Sequence, residues 1–100
     1  MYEKSDIEFD EPSLVTKLVD ADGTAKVVEV GFNPRKVEVV ALETGYMAIC
    51  VKGAAKALKL AATGSAIDPL ITFNGDNTVT LGTDAALNVN GKQTVLLCYK

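Results

Sequence analysis

The sequence predicts an all-β fold: a compact β-sandwich or flattened barrel of six to eight short antiparallel strands, preceded by an extended N-terminal arm. Three observations carry this. Short apolar runs (LITF, TVTL, TVLLCY) are separated by turn-forming residues, Asn74-Gly75, Gly82-Thr83-Asp84 and Asn90-Gly91. Several runs alternate apolar and polar residues with a period of two, the spacing of a half-buried strand. The chain has 100 residues, of which 48% are hydrophobic and 23% charged, enough for one domain with a modest core and too apolar for general disorder. The expected division is an acidic arm over residues 1–12 and a single β domain over residues 13–100.

Taken in order, the arm (MYEKSDIEFDEP) carries Glu3, Asp6, Glu8, Asp10 and Glu11 against Lys4 alone, a net of −4. The formal charge of the whole chain is −3, so the remainder sums to about +1. Two readings of the arm stand: a solvated terminus, or a segment that orders only against a basic patch on a partner. Its apolar residues Tyr2, Ile7 and Phe9 favour the second. Residues 13–34 then read as two extended segments around a turn at 20–23. In the second of these, Val28, Val30 and Phe32 alternate with Glu29 and Gly31. Asn33-Pro34 breaks the chain, because proline cannot donate to a ladder and restricts the residue before it. Residues 36–42 resume the alternation, with Val37, Val39 and Ala41 on one face and Lys36, Glu38 and Val40 on the other. After a turn at Thr44-Gly45, residues 46–51 form the next strand, and with the strands before it this makes a meander.

Residues 53–62 (GAAKALKLAA) are ambiguous. Their Ala, Leu and Lys content favours a helix, yet Lys56, Leu58 and Leu60 also share one side of a strand, and ten residues make a marginal helix without packing. Residues 70–73 and 78–81 flank a hairpin turn at 74–77. Residues 83–87 have room for a short turn of helix or coil. The last strand, 94–99, is apolar on both faces, which suits a central position or one covered by a neighbour.

The chain lacks the parts for most chemistry. It has no histidine, which removes Ser–His and Cys–His nucleophiles. Cys50 and Cys98 stand alone in apolar runs with no CxxC, so no zinc site forms, and the sequence leaves open whether the two pair. Asp68, Asp76 and Asp84 lie in or beside turns, where aspartate hydrogen-bonds nearby backbone. A calcium site from Asp76, Asn77 and Asp84 would match no EF-hand spacing. The glycines are scattered and form no phosphate-cradling loop. No Lys/Arg cluster interleaves with aromatics, no apolar run approaches membrane-spanning length, and the acidic start lacks the features of a signal peptide. These observations predict a non-enzyme with no cofactor or metal, no nucleic-acid or membrane partner, made in a cytoplasm-like compartment. Arg35, just after the Phe32-Asn33-Pro34 turn, reads equally as a solvated side chain or as a contact to another subunit.

Three stretches resemble one family. Gly31-Phe32-Asn33-Pro34-Arg35-Lys36-Val37-Glu38-Val39-Val40 is similar to a GFxPxxVxV opening found in small virion proteins of tailed bacteriophages. Tyr46-Met47-Ala48 and the Ala/Lys-rich run to Gly64 follow as in that group. Residues 77–91, containing Thr80-Leu81-Gly82-Thr83-Asp84 and ending at Asn90-Gly91, resemble its closing TLGTDxxxNxxG pattern before Tyr99-Lys100. The likeness covers about residues 27–100. Thr78-Val79 replaces the usual Gly-Phe, and Thr94 or Val95 stands where an aromatic is expected. The resemblance implies an all-β structural protein of the phage particle, and favours extended chain for 53–62.

The preferred expectation is therefore a capsid decoration (cement) protein, a homotrimer seated on the major capsid protein lattice at the capsid exterior of the virion, after assembly in the host cytoplasm. Its expected contact residues are Tyr2, Glu3, Asp6, Ile7, Glu8, Phe9 and Asp10 of the arm, together with Arg35. The alternative is a receptor- or glycan-binding module of a tail fibre, which would need exposed aromatic platforms from Tyr2, Tyr46 or Tyr99.

Overall fold

A computed structural model describes residues 14–60, 64–67, 69–84 and 87–100. Among these are nine strands, one beyond the expected upper bound, and no helix: β1 (Leu14–Asp20), β2 (Lys26–Glu29), β3 (Lys36–Ala41), β4 (Met47–Val51), β5 (Ala57–Leu60), β6 (Gly64–Ile67), β7 (Ile71–Phe73), β8 (Thr78–Leu81) and β9 (Gln93–Tyr99). They form a six-stranded antiparallel sheet in the order β1-β9-β3-β4-β5-β6 and a three-stranded antiparallel sheet in the order β2-β8-β7.

The alternation read from the sequence places one face of each sheet inward. From the large sheet come Val37, Val39 and Ala41 on β3, Ala48 and Cys50 on β4, Ala57 on β5, and Leu96 and Cys98 on β9; from the small sheet come Ile71, Val79 and Leu81. Val30 and Leu70 beside the small sheet and Leu87 from the loop before β9 complete the core. Burying small residues on the large sheet against larger ones opposite is how two faces interdigitate.

The meander expected of the strand at 46–51 and the strands before it begins later. Strands β3, β4, β5 and β6 are consecutive neighbours, but β2 crosses to the small sheet and pairs with β8. A period of two fixes which face a strand buries and says nothing of its partner, so this crossing was not legible. The ambiguous 53–62 segment contains strand β5 over Ala57–Leu60, held between β4 and β6. Ladder hydrogen bonds on both edges outweigh helical propensity there. The 70–81 hairpin forms as expected, with Gly75 and Asn77 at φ of 85° and 68° in its turn.

Two features lock the ends of the sheets. The buried Asn88 side chain accepts from Gly23 N–H at 3.1 Å and donates to the carbonyls of Thr24 at 2.8 Å and Gly82 at 3.0 Å, tying the β1–β2 turn to the exit of β8. Gly82 itself donates to Leu70 O at 2.7 Å, and a Cβ there would stand 2.9 Å from that carbonyl oxygen. Only glycine allows that approach without backbone movement.

Candidate interaction surface

The outward face of the six-stranded sheet departs from the usual rule that an antiparallel sheet turns polar residues to water. The strand register aligns its side chains in rows. One row is wholly apolar, Leu18, Val95, Val40, Met47 and Leu60 across five strands. The next holds Leu97, Ile49 and Leu58, broken by Thr16 and Glu38. The last holds Leu14, Tyr99, Lys36 and Val51. Leu18, Val51, Leu58 and Leu14 are 59%, 48%, 43% and 43% exposed. An exposed apolar field of this extent is the kind of surface that serves as an interaction site.

At one end of this face two charges neutralise each other, while at the other end the Asp20 carboxylate accepts from Gln93 Nε2 at 3.2 Å. Lys36 Nζ lies 3.3 Å from Glu38 Oε2 and 4.5 Å from the centre of the Tyr99 ring, while Tyr99 Oη donates to Glu38 Oε1 at 2.9 Å. That hydrogen bond, more than burial, raises the Tyr99 phenol above its ordinary value, because ionisation would set two negative oxygens together. The cluster can therefore be covered without stranding an unpaired charge.

Arg35, the expected contact residue within the described part, is exposed in the loop before β3. Its backbone N–H donates to Tyr99 O at 2.8 Å, and its carbonyl accepts from Lys52 N–H at 2.9 Å. Since Tyr99 also pairs with Leu14, the chain leaves the acidic arm at the end of the sheet where Arg35, Lys36 and Lys52 are gathered. The other expected contacts, Tyr2, Glu3, Asp6, Ile7, Glu8, Phe9 and Asp10, lie outside the described residues.

The remaining candidates for chemistry disperse. Asp76 and Asp84 sit beyond opposite ends of β8, so the calcium arrangement cannot close, and among the described residues no group of three potential ligands gathers. Asp84 instead meets Lys59 Nζ at 3.2 Å, a charged pair on the inward side of β5. Cys50 and Cys98 are free and buried. Val37 lies between them in the register, so two strand spacings, about 9.6 Å, separate their backbones, too far for a disulfide. Burial raises both thiols above their ordinary value. A cleft of about 400 Å³ opens between the β4–β5 loop and β7, lined by Cys50, Lys52, Lys56, Pro69, Ile71 and Phe73 among others. Its only thiol is the one burial makes less acidic. Among the described residues no helix is long and apolar enough to cross a membrane.

Sequence reasoning read residues 94–99 as apolar on both faces, with a covering neighbour as one option, but did not read the same signal in MAICV, where apolar residues at successive positions turn to both sides of the strand. No protein-family model matches the chain, and no curated protein or solved structure matches it.

Proposed function

We propose that this chain is a structural protein that works by adhesion, a capsid decoration protein of a tailed bacteriophage that binds the major capsid protein lattice and stabilises the assembled head. The observation that carries the adhesive part is the apolar outward face of the six-stranded sheet, whose Lys36 and Glu38 charges are already paired. The phage-particle part is supported by the resemblance of residues 31–40 and 77–91 to small virion proteins. Each copy bound to the assembled shell, and not to its separated subunits, favours the shell by mass action.

The acidic arm and Arg35 are the contact elements of this reading. The described chain begins at Leu14, at the same end of the sheet as Arg35. A protein lacking residues 1–12 is expected to lose occupancy on undecorated capsids in a cosedimentation assay. Unchanged occupancy removes the arm from the contact.

A further inference from the structure

We infer that the outward face of the six-stranded sheet is covered by a second copy of this chain, packed sheet against sheet. The adhesive reading above supplies the premise that the face is an interface. The identity of the occupant follows from area, charge and edge chemistry.

Five strand spacings of about 4.8 Å make the face about 24 Å wide, and strands of four to seven residues make it about 13–24 Å long. Two such faces approach the roughly 1,000 Å² that a specific interface needs. The centre of the face is the apolar row through Val95, Val40 and Met47, and its one charged cluster is internally neutral. A partner that recognises charge finds only Asp20, at the rim, without a cation among the described residues, whereas a second copy presents the same apolar rows at the same spacing. Two twisted sheets packed in aligned fashion, about 10 Å apart, bring those rows together. The arm is a poorer cover: on this face its five carboxylates would meet a cation only at Lys36, which Glu38 already pairs, and would otherwise lose hydration against apolar side chains. Association through the β1 edge is opposed as well. Edge strand β1 carries Lys17 on its inward side, across from Leu96, and an inward charge on an edge strand resists edge-to-edge pairing.

The test is the solution mass of the full chain, measured by light scattering after gel filtration at about 100 μM, a concentration at which a Kd in the micromolar range gives mostly dimer. The chain is 10.6 kDa, and the wild type is expected at twice that mass. Leu18→Lys and Leu58→Glu alter exposed positions on opposite sides of the face, so each should keep the wild-type circular dichroism spectrum while its mass falls to that of a monomer. Val27→Glu, 68% exposed on the small sheet, is expected to remain dimeric. A monomeric wild type overturns the inference, as does a dimer indifferent to both face substitutions. So does a monomeric wild type that dimerises once residues 1–12 are removed, which would identify the arm as the cover. Dimerisation is read on the pure protein. Its loss with capsid binding intact sinks this inference alone, and dimers that never bind capsids sink only the capsid reading.

Discussion

Asn88 shows how one side chain can hold a small sandwich together. Nothing near it in sequence needs it; its partners are Gly23 and Thr24, more than sixty positions away, and Gly82. Replacing it with alanine removes three hydrogen bonds and leaves one N–H and two carbonyls without that partner at the end of the core. Asn88→Ala is expected to destabilise the fold by about 2–4 kcal/mol, since each neutral bond contributes about 1 kcal/mol and buried groups left unpaired cost more. Urea denaturation measures this directly; a change below about 0.5 kcal/mol would show that water replaces the amide fully. At this position the sequence offered the Asn of the TLGTDxxxNxxG resemblance but not its partners, because long-range side-chain bonds leave no local pattern. The turn chemistry at Asn74-Gly75 was legible because it is local: residues that tolerate positive φ between two strand-like runs name their own conformation.

Strand β9 sits between β1 and β3, and its two faces meet different surroundings. Leu96 is fully buried in the core, while its neighbour Leu97 lies on the outward face and is half-buried. Leu96→Ala is expected to cost about 2–5 kcal/mol, the range for a truncation that leaves a cavity. Leu97→Ala should cost less than about 1.5 kcal/mol at concentrations where the chain is monomeric, because water already reaches that side. Equal losses in dilute denaturation experiments would mean that the outward face is covered within a single copy. The central position of this strand was readable from its lack of polar residues. The open outward face was not, because an apolar residue on a strand looks the same whether its own chain or another covers it. Strand β5 was undecidable for a related reason: ALKL fits a helix or a strand, and the choice was made by β4 and β6 pairing on either side.

For the molecule as a whole, the core uses one face of each sheet and leaves the broad face of the larger sheet to be satisfied from outside. A 100-residue domain has little interior to spare, so placing apolar side chains on an outer surface lowers its solubility as a lone unit unless association recovers the loss. The motif resemblance, the apolar face and the charged arm are the observations behind our proposal of a protein that functions by being attached. The direct measurement is its copy number in purified phage particles, by quantitative mass spectrometry against the major capsid protein. Attachment to the lattice predicts a constant ratio to the capsid protein that survives gradient purification. Its absence from the particles, with the protein recovered free in the lysate, would contradict the account.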